Sequence, residues 1–104
     1  METVNEKTTA ILAVTFKDEN GNLVTPTTGS YRIDDYAGTQ ITGDTAFTPS
    51  SSTYEITISA NENRILDANN SVETRIVTVS WTYSGSKQGT SEYIYQIKNL
   101  RKIT

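Results

Sequence analysis

The chain has 104 residues, which suffice for one domain of ordinary size and are too few for two separate cores. It contains neither histidine nor cysteine, so the commonest general base, zinc ligands and thiol nucleophile are missing, which predicts a non-enzymatic domain without cofactor or metal. Its formal net charge of -3 argues against direct nucleic-acid binding, and no apolar run is long enough to insert into a membrane.

The first half of the chain has the pattern of short β-strands separated by turns. In residues 8–17 the apolar side chains of Leu12, Val14 and Phe16 alternate with polar ones, which places them on one face of a strand. The next residues contain Asn and Gly and predict a turn over 18–22. We expect further extended segments at 23–24, which Pro26 limits, and at 28–36, 40–42 and 53–59.

The pattern changes between residues 60 and 71, where strand alternation stops. Ile65 and Leu66 stand side by side, and the breaker-rich residues 67–70 follow them. This predicts at most a single helical turn near 62-66. Leu66, with Ile65 beside it, would close one end of a sandwich as the chain crosses between its sheets.

The strongest fold signal lies in the last third of the chain. From Val77 to Tyr83 large apolar side chains alternate with Thr and Ser, and the alternation resumes from Tyr93 to Ile97. The residues between these stretches, 84–89, contain two glycines and predict a turn. The pattern therefore indicates an antiparallel hairpin with one buried face.

All these elements fit one domain that covers residues 1–104. About seven short strands with frequent turns and one crossover favour an all-β fold, an immunoglobulin-like β-sandwich. The expected core consists of the inward-facing side chains Leu12, Val14, Phe16, Tyr31, Ile33, Tyr54, Ile56, Ile58, Val77, Val79, Trp81, Tyr93 and Ile97.

Three features have the residue types of chemical sites, and each has a structural explanation. Asp34 and Asp35 are neighbours on a strand, so their carboxylates point to opposite faces and cannot act as a pair. Residues 18–22 offer oxygen ligands but lack the spaced acidic residues and the distal Glu of a calcium loop. Trp81 is in register with Val79, so we expect a core side chain there and not a binding aromatic.

Apolar side chains interrupt the faces that we assign to solvent. If the strands that carry them are neighbours, they form an exposed apolar patch of the kind that marks a subunit contact; the alternative is isolated exposed residues, which are common. The basic, partly apolar end segment 98–104 is a second candidate for docking on a neighbour. The patch consists of Ile11, Ala13, Ile76 and Ile94, and the predicted partner-contact residues are Ile11, Ile76, Ile94, Leu100, Arg101, Lys102 and Ile103.

Segments spread over most of the chain carry a resemblance to known proteins: residues 16–24, Pro26, 31–35, 58–66, 73–79 and 93–101. Together they resemble small immunoglobulin-like proteins encoded in the structural gene clusters of tailed bacteriophages, which are virion components. The resemblance implies the same fold and a structural role in the virion.

Two classes of function follow. The first is a non-enzymatic virion structural subunit at the head-to-tail neck or connector, which contacts other virion proteins as a homo-oligomer or ring and is assembled in the host cytoplasm. The second is a host-surface recognition module, an adhesin or glycan-binding domain, or a capsid decoration protein. Glycan sites usually offer exposed aromatic side chains near carboxylates and amides, whereas these loops are mostly Ser, Thr, Gly and Asn, which favours the first class.

Overall fold

The chain forms an all-β structure of two sheets. A computed structural model describes residues 2–67 and 69–100, and these residues contain strands and turns but no helix, hence none that could cross a membrane. The strands are β1 (Glu2–Asn5), β2 (Ala10–Thr15), β3 (Thr28–Asp35), β4 (Gln40–Phe47), β5 (Thr53–Ile58), β6 (Val72–Tyr83) and β7 (Lys87–Lys98).

The two sheets differ in size, and strands that are neighbours in a sheet are not always consecutive in the sequence. The larger sheet has the order β1-β7-β6-β3-β4, and the smaller one pairs β2 with β5. Neighbouring strands are antiparallel except β1, which runs parallel to β7. The chain passes from the large sheet to the small sheet and back twice, and buried side chains from both sheets form one core, as in a β-sandwich.

The core confirms most of the sequence prediction. Phe16, which directly follows β2 of the small sheet, meets Trp81 from the large sheet edge to face, with ring centroids 5.2 Å apart. The remaining predicted side chains Leu12, Tyr31, Tyr54 and Tyr93 are half-buried against the core, which also contains Tyr83 and Tyr95. The confirmed core residues are Val14, Phe16, Ile33, Ile56, Ile58, Val77, Val79, Trp81 and Ile97.

The predicted hairpin is β6 and β7, and it is longer than its sequence signal. The two strands pair without a shift in register from Val72 opposite Lys98 to Tyr83 opposite Lys87. The turn is confined to residues 84–86, where Gly85 has a φ of 82°. Gly89, which we expected in the turn, lies in β7 opposite Trp81, and a Cβ there would come within 2.4 Å of the indole ring. Glycine is required because the ring covers the strand directly.

One predicted extended segment forms no strand, one predicted strand is longer than expected, and one strand was missed. Residues 23–24 form no strand, and only an isolated bridge joins Lys17 to Leu23. The segment predicted as 40–42 extends to Phe47. Strand β1 was not predicted, because its residues are polar except for Val4. The position of β1 depends on pairing with β7, which lies near the other end of the sequence.

The predicted helical turn near 62-66 does not form. Residues 59–64 instead make a hydrogen-bonded turn in which Ser59 and Glu62 bond reciprocally: the Ser59 amide donates to Glu62 Oε1 at 2.8 Å and the Glu62 amide to Ser59 Oγ at 3.2 Å. This is the capping pattern of a helix start, and it ends after one turn. Ile65 is half-buried against the core, whereas Leu66, predicted to close the sandwich, is 45% exposed.

Candidate protein-contact surface

Strand β7 has two halves with different surroundings. From Tyr95 to Lys98 it is a central strand, because β1 pairs with it on the side away from β6. From Lys87 to Ile94 the pairing is with β6 alone among the residues that the structure describes. We call residues 87–94 the open edge. In an antiparallel edge strand every second residue points its N–H and C=O away from its neighbour, so about half of these backbone groups face outward.

The predicted apolar patch is partly assembled beside the open edge. Ile76 and Ile94 lie directly opposite each other on the outer face of the hairpin, where Ile94 is 42% exposed. Ile11 is 59% exposed and lies on β2, which is in the other sheet and pairs with β5. It nevertheless borders the same cleft as Ile94. The patch therefore combines a pair on the adjacent strands β6 and β7 with Ile11 of the other sheet, across the cleft at one side of the sandwich.

That cleft lies between the edge of β2 and the edge of β7 and has a volume of about 170 Å³. Its walls are mainly apolar, with Leu12 and Tyr93 on opposite sides and Val4 of β1 at one end. A second cleft of about 360 Å³ follows along the open edge and is lined by Lys17, Trp81 and residues 88–91. The Trp81 indole nitrogen is buried without a hydrogen-bond partner. The open edge thus faces recessed space along its length.

Charged side chains lie at the end of the sandwich where the open edge begins. Lys87 forms an ion pair with Glu19, and the Tyr83 hydroxyl donates to the same carboxylate at 3.0 Å. The hydrogen bond from Lys87 lowers the pKa of Glu19 to about 2. Both charged side chains are about half exposed. We call this region, residues Glu19, Tyr83 and Lys87, the hairpin end.

The opposite end, which we call the crossover end, is defined by Glu6, Asn63, Glu73, Arg75 and Asn99, all of which are buried. Arg75 Nη2 lies 3.0 Å from Glu73 Oε1, and both side chains are inside the fold. Glu73 also accepts backbone hydrogen bonds at 2.8 Å from Leu66 and at 3.0 Å from Asp67. Burial acts to raise the pKa of Glu73, but these hydrogen bonds outweigh it and lower the pKa to about 2.

Two further buried contacts complete the crossover end. The Tyr95 hydroxyl donates to Asn63 Oδ1 at 2.7 Å, and the Asn63 amide group donates to the Thr8 carbonyl at 2.8 Å. Burial of the Tyr95 ring raises the pKa of its hydroxyl to about 12. Sequence reasoning missed Glu73 and Arg75, although they continue the inward-facing alternation of β6 below Val77. Period-two spacing was the signal that could have found them.

The predicted end segment begins at this crossover end. The Asn99 amide donates to the Ser71 carbonyl at 2.9 Å. The Leu100 amide donates to Glu6 Oε1 at 2.8 Å, and Glu6 Oε2 is buried without a hydrogen-bond partner among the described residues. Leu100 is 41% exposed. The predicted contact residues Arg101, Lys102 and Ile103 lie outside the described residues.

The carboxylates considered in the sequence are used locally. Asp34 pairs with Arg32 at 3.0 Å, while Asp35 accepts the Thr39 amide at 2.7 Å. Asp18 accepts the amides of Asn20 and Asn22 within its own turn. Among residues 2–67 and 69–100, no group of three or more acidic, His or Cys side chains could hold a metal ion.

Comparisons of the chain with protein-family models, with curated proteins and with solved structures found no match.

Proposed function

We propose that this chain is a non-enzymatic structural subunit of a bacteriophage virion, located at the head-to-tail neck or connector, and that it acts through protein-protein contacts. The observation that carries the contact role is the exposed Ile94, opposite the half-buried Ile76, beside the open edge of β7, with the exposed Ile11 across the adjoining cleft. Apolar side chains next to open backbone groups favour association with another chain.

We infer further that the sandwich is immunoglobulin-like. In that fold the third, sixth and seventh strands share one sheet, with an additional edge strand in the variable type, and the remaining strands form the other sheet. The order β7-β6-β3 with β4 as the additional edge strand, against β2-β5 in the other sheet, supports this assignment, whereas β1 departs from it by joining the large sheet. The virion part of the proposal comes from the resemblance of the sequence segments described above to phage structural proteins.

The location is tested on purified particles of the phage that encodes the chain. Mass spectrometry of density-purified virions should detect this protein at a constant copy number, and antibody labelling should place it at the neck. Label over the capsid surface would instead identify a decoration protein. Its absence from intact particles would refute a structural role.

A host-surface recognition module is the second candidate, and one cleft favours it. Tyr36 is 81% exposed and borders a cleft of about 410 Å³ together with Asp35, Asp67, Asn70 and Leu66. An exposed aromatic ring near carboxylate and amide groups is the usual arrangement of a glycan site. The composition of the loops alone did not indicate it. Binding of the protein to a glycan array, lost in Tyr36→Ala and retained in Ile94→Lys, would favour recognition over a structural contact.

A further inference from the structure

The two outer edges of the large sheet differ in how they are protected. The register between β3 and β4 shifts twice, between Tyr31 and Ile33 and between Ile33 and Asp34, so the β4 edge is irregular. Such bulges prevent edge-to-edge pairing. The open edge of β7 belongs to a ladder of consecutive pairs without a shift. It is a regular template that another strand can extend.

The open edge is also compatible with a copy of itself. Its charged side chains are Lys87 and Glu92, which have opposite signs and stand near its two ends. If two copies pair antiparallel about Ser91, Glu92 faces Thr90 of the second copy and no like charges are directly opposed. The pairing ends at Ile94 opposite Gln88, just before Tyr95, where β1 already occupies the strand.

The same register matches side-chain size. Tyr93 of each copy lies opposite Gly89 of the other, twice by symmetry, and an aromatic side chain next to an edge glycine is a stabilising cross-strand pair. Both residues are on the inner face of β7 and half-buried. Ile94, which is 42% exposed, comes to lie beside the second strand.

We propose that a second copy of this chain pairs antiparallel along the open edge of β7, with Ser91 facing Ser91 of the partner. The inference rests on the proposed contact function and names its partner. The dimer joins two large sheets into one continuous sheet about a two-fold axis. Because the paired stretch is short, the interface is below the standard size of about 1,600 Å², and we expect association in the micromolar range or weaker.

The register is tested by single cysteines, since the chain has none of its own. Residues directly opposite in an antiparallel pair have Cα atoms about 4.5 to 5.5 Å apart, which a disulfide can bridge. Under mild oxidation Ser91→Cys should crosslink into dimers. Thr90→Cys should not, because the two copies of residue 90 are then about 7 to 8 Å apart.

Ala46→Cys is the matched control. Ala46 lies on the other edge of the sheet, in the same cross-strand row as Thr90, through Ser30 and Ser80. It should remain monomeric under the same oxidation. Equal crosslinking of Ser91→Cys and Ala46→Cys would overturn the proposal, as would faster crosslinking of Thr90→Cys than of Ser91→Cys.

Charge substitutions give a second readout that does not depend on oxidation. Thr90→Glu places like charges opposite Glu92 in both halves of the interface and should weaken the dimer roughly threefold or more, whereas Thr90→Lys should keep or strengthen it. Sedimentation of Ala46→Glu and Ala46→Lys should match that of the unmodified protein. A dimer constant that responds equally to Glu and Lys at position 90 would overturn the register.

Failure of the dimer proposal can be distinguished from failure of the proposed virion role. A protein that is present in virions but remains monomeric up to about 1 mM, with no crosslinking at position 91, would keep its structural role and lose the second copy as the partner of this edge. A protein that crosslinks at position 91 but is missing from particles would keep the dimer and lose the virion role.

Discussion

Each end of the sandwich carries an ion pair, and the two pairs have little in common beyond their chemistry. At the crossover end, Glu73 and Arg75 are 8% and 1% exposed in their side chains. At the hairpin end, Glu19 and Lys87 are 49% and 51% exposed. Both carboxylates have a pKa lowered to about 2, so the pKa alone does not distinguish the two environments.

The difference lies in what else each carboxylate holds. Glu73 accepts amide hydrogen bonds from Leu66 and Asp67, so it fixes the crossover loop as well as neutralising Arg75. Removing one member of a buried pair leaves an uncompensated charge inside the fold. At the hairpin end, water can replace the Glu19 carboxylate as the partner of Lys87 with little loss of stability, since exposed ion pairs are screened. Charge therefore organises one end of the molecule, and apolar packing organises the other.

The largest expected effect tests the packing at the hairpin end. Trp81→Ala removes the ring that contacts Phe16 and covers Gly89, and should lower the free energy of unfolding by about 3 to 5 kcal/mol. Urea unfolding followed by circular dichroism measures this loss. Tyr36→Ala, at an exposed aromatic, is the control and should be neutral. A loss below about 1 kcal/mol for Trp81→Ala would contradict its core position.

The next effect tests charge at the crossover end. Glu73→Ala deletes the acceptor for the Leu66 and Asp67 amides and leaves Arg75 unpaired in the interior, so we expect a loss of about 3 kcal/mol in the same urea experiment. Glu55→Ala, at an exposed position of β5, should have no comparable effect. If both variants unfold at the same urea concentration, the buried pair does not organise this end.

The loss of stability at low pH, which we call the acid limb, should depend on Glu73. Its pKa in the folded chain is about 2, against an ordinary value of 4.5, so its contribution is complete above pH 4.5 and is lost as the pH falls towards 2. Glu73→Gln should flatten the fall in melting temperature over this interval. An unchanged pH profile in Glu73→Gln would show that other carboxylates govern acid unfolding.

A smaller effect concerns the end of the described chain. The Leu100 amide is the one hydrogen-bond donor to the buried Glu6 carboxylate among the described residues. A chain that ends at Asn99 should therefore be less stable than one that ends at Leu100 by about 1 to 2 kcal/mol, because the carboxylate loses its partner. Thermal unfolding of the two truncated chains measures the difference. Equal stabilities would mean that water replaces the Leu100 amide without cost.

The alternation of apolar and polar residues predicted most strands. Features that depend on contacts between residues far apart in the sequence were not predicted. The hairpin and most of the core followed from period two, since each strand has one apolar face. Glu73 and Arg75 obey the same alternation, but polar residues on an inward face give no hydrophobic signal. The Leu100–Glu6 bond joins residues 94 apart, and the boundary of the open edge depends on the pairing of β1 with β7, which in the described residues begins with Glu2 opposite Tyr95. Neither feature is encoded in a short window of sequence.

The smallest expected effect is at the exposed pair, and it sharpens the comparison most. Glu19→Gln removes the charge that Lys87 and Tyr83 contact. Because the pKa of Glu19 is lowered in the folded chain, this substitution should flatten the acid limb, but much less than Glu73→Gln does, since both partners remain hydrated and the attraction is screened. Thermal unfolding between pH 2 and pH 7, at low and high salt, tests this. If Glu19→Gln flattens the acid limb as strongly as Glu73→Gln, exposure does not separate the two pairs, and the hairpin end depends on charge as much as the crossover end does.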